Sequence, residues 1–497
     1  LLGIGTIAGE TMSGMIRTTF VASPGRLRVL VSKIVTIVGY LFLVGILSVA
    51  TAAVVAGLIL VAKGYPIDVE VVGDAILPAL GCGAFLALVG LLAMGVGTVL
   101  PQPGIAGLVV ITLLFVAPAL VVVATSTLGG SADWVAAALP ATAGQSLFSV
   151  FGTQARPGVV FGSVVITPVV GFGILLAWVA VTLIPAAVVF AHRDLTRPSH
   201  NSRLRGEFRL RSSGRSAEDP RATWRGAVKA EWLKLLSLPS NRWSIPAFAL
   251  ALIGYGLLRA TTRHPADVGG SILEASRVET VYAITAGIGL AQLLVAIVAV
   301  TAVTGEYSSG TIKPTLVSVP RRQRVALGKG VVVVGSTIAL SAVLLAITAV
   351  IIVPAHEAGG FHPELLGTAT YSAVVNGTIY LALIAVLAVG VGGITRNALA
   401  GVITMTALLI VLPSVFNVIL AATRGTSTVW IGNLGQFLPA SGDRFYQHEP
   451  QSGGYLLTQF APDGSLILTP GQGLAVLASW SAIAFAFWLI RFLRRDA

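Results

Sequence analysis

The chain is poor in charge and nearly free of cysteine. Only 10% of its 497 residues are Asp, Glu, Lys or Arg, against about a quarter in a soluble domain. The single Cys82 lies inside an apolar run and has no second cysteine to pair with. An internal disulfide is therefore excluded, and cysteine carries no redox information. No G-x-x-x-x-G-K-S/T occurs: Gly328-Lys329 lacks the upstream glycine and is followed by Gly330. The chain therefore does not hold ATP in a P-loop. Ionisable residues are also absent from the middle of the apolar runs as the sequence sets them out. Gln292, Asn376, Tyr380 and Asn417 are the main polar side chains there. His356-Glu357 and His362-Pro363-Glu364 do not have the spacing of H-E-x-x-H. They read as a solvated loop rather than a metal site. Gln451-Ser452-Gly453-Gly454 reads as a turn.

What remains is apolar. Hydrophobic residues make up 55% of the chain, and its mean hydropathy is +0.89. That composition describes an all-α membrane protein with about a dozen spans of ~20 residues. The net charge of +12 does not point to nucleic acid, because the Lys and Arg sit in short loops beside the apolar runs. That is the positive-inside pattern. It puts the basic loops and the C-terminus on the cytoplasmic side. The opening LLGIGTIAGE has no charged n-region before a long apolar stretch. It reads as the tail of a span, not as a signal peptide.

Spans are expected at 34–61, 76–100, 104–125 and 168–190, then at 245–260, 281–304, 330–354, 370–394, 399–423 and 472–493. Asp68, Glu70 and Asp74, and later Asp267, Glu274, Glu279, Glu357, Glu364, Asp443, Glu449 and Asp463, fall in loops of the opposite side. Residues 192–226 form an Arg-, Ser- and Pro-rich linker between a first unit, 1–191, and a second, 227–497. Trp224, Val228, Trp232 and Leu235 fall on one helical face with Arg225 and Lys229 opposite, which predicts an interfacial helix. Short helices are expected around Leu139-Pro140-Ala141 and Leu438-Pro439-Ala440. A hairpin is expected within 458–468, where Pro462-Asp463-Gly464 supplies the turn.

The chain repeats itself. Gly9 to Lys33 aligns without a gap on Gly305 to Lys329. Glu10/Glu306, Gly14/Gly310, Pro24/Pro320, Arg26/Arg322, Arg28/Arg324 and Lys33/Lys329 are identical, and Arg17/Lys313 keeps the charge. Each copy is a basic island between two apolar runs. Leu92-Ala93-Met94-Gly95-Val96-Gly97 echoes Leu387-Ala388-Val389-Gly390-Val391-Gly392, and Trp178 echoes Trp480. The repeats are parallel, so the same face is shown to the same side twice. The first copy has fewer spans, which implies an interfacial helix and a span upstream of Leu1.

Glu306, Gly310, Thr311, Ile312, Leu316, Pro320 and Lys329, placed between two spans, resemble the membrane subunits of ABC-2 type transporters. Glu231, Trp232, Lys234 and Leu235 before a span resemble that family's connecting helix. The resemblance implies two parallel six-helix repeats of the ABC-2 (type V exporter-like) kind around one path, in the bacterial cytoplasmic membrane. It implies that Glu10, Gly14, Arg17, Pro24, Glu306, Gly310, Lys313 and Pro320 belong to coupling helices, each docking on a separate ATPase subunit. Trp224, Glu231, Trp232 and Lys234 would form the connecting helix. Two copies of the ATPase would bind ATP and Mg, with no cofactor in this chain. The second and fifth spans would line the path, making Phe115, Gln292, Phe416 and Asn417 candidates for contact with a hydrophobic or amphipathic compound: a drug, an antibiotic or a lipid-like molecule.

Glu10 and Glu306, where a span gives way to an island, are expected to cap backbone N–H groups or to pair with an arginine. An ion-coupled secondary transporter is the competing reading. It is disfavoured by the missing mid-span charges. An intramembrane enzyme or metalloprotein finds no catalytic constellation.

Overall fold

The computed structural model describes residues 2–9, 19, 25–62, 76–100, 103–118, 121, 133–148, 159–161, 164–192, 224–237, 239–263, 271–308, 310–312, 322–424, 427–447, 459–460 and 464–494. Among them, nine helices are long and apolar enough to cross a membrane. The protein is an all-α, multi-pass membrane protein. Helices suit these sequences because a chain in hydrocarbon must satisfy its own backbone. Hydroxyls inside the spans do the same locally: Thr98 donates to the Met94 carbonyl at 2.8 Å and Thr348 to that of Leu344 at 2.8 Å.

The helices run further than the apolar runs. The first is Arg26–Ala62, so Arg26, Arg28 and Lys33 lie on it rather than in a loop. Ile76–Val99 follows, then Pro103–Ile111, which continues as a π-helical turn, Thr112–Val116. Asp133–Ala137 and Pro140–Phe148 are the short helices expected around Leu139-Pro140-Ala141. Pro168–His192 closes the first unit.

In the second unit, Trp224–Ser237 leads into Pro239–Thr262. The next span is broken, Ile272–Thr285 and then Ile288–Ser308. At the break, a Cβ on Gly287 would lie 2.6 Å from Leu252 Cα, so only glycine permits that approach. Arg322–Ile351, Val353–Ala358 and Thr368–Thr395 follow. Ala398–Thr406 passes through a π-helical turn, Ala407–Val411, into Leu412–Thr423. Val429–Asn433 and Asp443–Gln447 are short, and Pro470–Arg494 ends the described chain. Glu274 and Glu279, expected in a loop, stand on the Ile272–Thr285 helix.

The expected hairpin is present, Gln459–Phe460 against Leu466–Ile467. A second, Val159–Phe161 against Val164–Ile166 with Val160 opposite Val165, was not foreseen. Its signal was Gly162-Ser163 between two apolar runs. Both hairpins lie at one end of the helix bundle, the hairpin end. Arg26, Arg322 and Arg494 mark the other, the basic end.

Equivalent positions of the repeat make equivalent contacts. Trp178 Nε1–H donates to the Ala138 carbonyl at 2.8 Å, and Trp480 Nε1–H to that of Phe437 at 2.9 Å. Lys33 donates to the Thr6 carbonyl at 3.0 Å, and Lys329 to that of Ala302 at 3.2 Å. A Cβ on Gly97 would lie 3.0 Å from Ile4 Cα; one on Gly392 would lie 3.1 Å from Val300 Cα. The two π-helical turns fall at matching places in their runs. One apolar core fills the second unit around Ile284, Val300, Leu345 and Leu381. A smaller core around Leu92, Ala143 and Leu175 fills the first. The units touch where Tyr255 Oη donates to the Phe115 carbonyl at 2.8 Å.

Candidate functional site

Four charges meet at the basic end. Glu231 comes from the Trp224–Ser237 helix and is 6% exposed. Glu306 lies in the last turn of Ile288–Ser308 and is 8% exposed; Lys329 lies two turns into Arg322–Ile351 and is 6% exposed. Lys329 Nζ is 2.7 Å from Glu231 Oε2 and 3.0 Å from Glu306 Oε1. Lys234 Nζ is 2.8 Å from Glu231 Oε1 and 2.9 Å from Glu306 Oε1. Two carboxylates and two ammonium groups close a neutral ring that ties three helices together.

Such a ring holds geometry more than it adds stability. Removing a charge from water is costly, and a buried pair repays this only when well bonded. Burial alone would lower the Lys234 pKa; the bonds and charges of Glu231 and Glu306 outweigh it and hold the ammonium above the ordinary lysine range. Glu306 meets the expectation of an ionic partner, but the partner is lysine rather than arginine. Lys329, expected in a loop, is on a helix and buried. Sequence reading missed the ring because its members lie 72, 23 and 98 residues apart across the three helices.

Beyond Glu306 the helix stops at Ser308, and Gly310 takes φ +68°. That left-handed turn is one glycine adopts without strain. Nearby, Arg396 ends Thr368–Thr395 at φ 53°. Its guanidinium lies 5.1 Å from the centre of the Tyr307 ring, a cation–π contact. Of the other island residues, Glu10, Gly14, Arg17, Pro24, Lys313 and Pro320 lie outside the described residues, as do linker residues 193–223. The helix expected from Trp224 begins there, so the linker ends three residues earlier than 226. Trp224 and Trp232 are exposed on this helix while Glu231 is buried, as an interfacial helix allows.

The expected path residues do not gather. Gln292 is buried, and its Oε1 accepts from Tyr380 Oη at 2.6 Å. It is a satisfied core amide rather than a path-lining one, because a buried amide needs such a partner. Phe416 is half-buried, with its Cβ against Gly435. Phe115 and Asn417 are exposed.

Two more expectations change at the hairpin end. Glu279 is 1% exposed and paired with Arg259: Nη2 donates to Oε2 at 3.1 Å, and Nε lies 2.6 Å from Oε1 as an ion-pair contact. So ionisable residues do stand inside the spans. His356 is fully buried on Val353–Ala358, with its ring 5.3 Å from that of Phe361. It is not in a solvated loop. Among the described residues, no group of three or more His, Cys, Asp or Glu could hold a metal ion.

No protein-family model matches the chain, and no curated protein matches it.

Proposed function

We propose that this protein is the membrane subunit of an ATP-driven exporter of the ABC-2 type. It consists of two parallel repeats, 1–191 and 227–497, and works with two copies of a separate ATPase. The basic end faces the cytoplasm of a bacterium. The observation that carries the reading is the duplication in space. Lys33 and Lys329, each closing an island, make the same bond to a carbonyl of the preceding helix. Two basic islands of matching sequence suit two equal soluble partners.

The ring of Glu231, Lys234, Glu306 and Lys329 gives that docking a mechanical consequence. A push on the island after Gly310 reaches the ends of Ile288–Ser308 and Arg322–Ile351 together. Through Glu231 it also reaches the interfacial helix. Interfaces tied in this way move as units rather than deform. The partner ATPases supply ATP and Mg chemistry, and this chain contributes the path for a hydrophobic or amphipathic compound.

The Arg259–Glu279 pair inside the spans favours a second reading, an ion-coupled secondary transporter. One experiment separates the two. The chain is reconstituted in liposomes with a candidate ABC ATPase subunit, and movement of a hydrophobic dye is followed. Dye movement driven by ATP, and unmoved by a proton or sodium gradient, supports export. Movement by the chain alone under a gradient replaces that reading with the second.

A further inference from the structure

At the hairpin end, a cavity of ≈ 550 Å³ opens between Pro239–Thr262, the broken span and Asp443–Gln447. Its volume is within the range of small-molecule sites, ~300–1,000 Å³. Its walls are unlike the rest of this apolar protein. Tyr255, Arg259, Arg263, Tyr282, Tyr446 and Gln447 border it. We propose that this cavity binds an aromatic anion, a compound carrying a carboxylate, sulfonate or phosphate beside a flat ring system.

The charges decide the sign. Among the described lining residues the ionisable groups are two arginines and three tyrosines. Glu279 neutralises one arginine: it is 1% exposed, accepts a hydrogen bond from Arg259 Nη2 at 3.1 Å and has Oε1 2.6 Å from Nε. That pairing fixes Arg259, whose guanidinium lies 4.9 Å from the centre of the Tyr282 ring. Arg263 is exposed at the rim, one turn on from Arg259. Among the described lining residues the balance is one positive charge, on Arg263, with Asp443 beside Tyr446 and Arg444. A guanidinium makes strong charge-assisted bonds to an anion.

The break in the span gives room rather than charge. Thr285, Ala286 and Gly289 border the cavity, so the C-terminal end of Ile272–Thr285 and the N-terminal end of Ile288–Ser308 both meet it, and the two dipole ends largely offset each other. Gly289 keeps the space free, since a Cβ added there would meet nothing within 4 Å. Tyr255 and Tyr282 supply aromatic walls, Tyr282 already under the Arg259 guanidinium. The backing is firm: Tyr446 packs edge-on to Tyr380 at 4.8 Å, and Tyr380 is tied to Gln292. In the export reading, on which the direction of passage rests, the cavity is the outward stage of the path. Binding itself needs no ATPase.

The test uses two dyes on one xanthene skeleton, fluorescein as the anion and rhodamine 123 as the cation. The chain is held in phosphatidylcholine nanodiscs without any ATPase. Binding is read by fluorescence anisotropy against empty nanodiscs. Fluorescein is expected to bind saturably and rhodamine 123 to bind more weakly. Arg263→Gln should weaken fluorescein about tenfold, the loss of one charge-assisted bond, and should not weaken rhodamine 123, since it removes a like charge. Gly289→Phe, which fills open space rather than core, should abolish binding of fluorescein. Unchanged gel-filtration and melting profiles show that both variants are folded. No saturable fluorescein binding, equal binding in all three proteins, or preference for rhodamine 123 would overturn the proposal. None of these outcomes bears on whether ATP drives export, which the liposome experiment decides.

Discussion

Lys329 Nζ lies 3.0 Å from Glu306 Oε1, although a whole basic island separates the two residues in sequence. The same ammonium also reaches Glu231, from a helix 98 residues earlier. One lysine therefore fixes how two spans and the interfacial helix stand at the basic end.

The ring has unequal members, and substitution should rank them. Glu306→Gln leaves Lys329 bonded to Glu231 and should destabilise the protein by about 1–3 kcal/mol. Lys329→Met leaves two buried carboxylates facing Lys234 alone and should cost about 3–5 kcal/mol. Melting in detergent, read by gel filtration after heating, checks the order. In the export reading, Glu306→Gln should also lower transport per ATP hydrolysed while the chain stays folded. Transport per ATP equal to wild type would remove the ring from the coupling path.

The Arg259–Glu279 pair should behave as one unit. Glu279→Gln leaves a held guanidinium without its counter-charge and should cost about 3–5 kcal/mol. The swap Arg259→Glu with Glu279→Arg should recover part of that loss. A double-mutant cycle on melting temperature tests it, and additive effects would count against a paired unit.

The repeat predicts matched damage. Gly97→Leu and Gly392→Leu each force a large side chain against a helix backbone, that of Ile4 and that of Val300. Each should cost about 1–3 kcal/mol or more as the helices part. Similar loss of folded yield from both variants is expected. Damage confined to one unit would mean that the two helix pairs are not equivalent.

Asp443 gives a pH dependence of defined sign. Burial raises its carboxyl pKa, while the charge of Arg444 and a backbone hydrogen bond only partly offset it. The folded state then holds the proton to higher pH than the unfolded chain does. Stability therefore falls as pH rises from the ordinary carboxylate range through the raised value, and stays lower above it. Asp443→Asn should raise the melting temperature at pH 7 and flatten that acid-side slope. A lower melting temperature at pH 7 would contradict this sign.

Much of the fold could be read from the sequence because hydrocarbon imposes one rule, long apolar runs in helical form. Nine of the ten expected spans, the short helices around the Leu-Pro-Ala phrases and one hairpin follow from local signals; the tenth, 104–125, is described only as a shorter apolar helix, Ile105–Phe115. The helix extensions were not legible: Lys329 and Glu279 are charged, and charge normally marks a loop. Only tertiary pairing makes them affordable inside a helix. The ring itself joins Glu231, Glu306 and Lys329 from three helices, and no local pattern records that meeting. Gln292 shows the opposite error. A lone amide in an apolar run suggests a path, yet Tyr380 satisfies it within the core.

The central claim is that the two basic islands of matching sequence dock two equal partners. Native mass spectrometry of the chain co-purified with a candidate ABC ATPase subunit measures this most directly. The account predicts one membrane chain with two ATPase copies. It also predicts release of ATPase when Arg17 and Lys313 are both changed to Glu. A chain that purifies alone, or a complex that survives both substitutions unchanged, would contradict it.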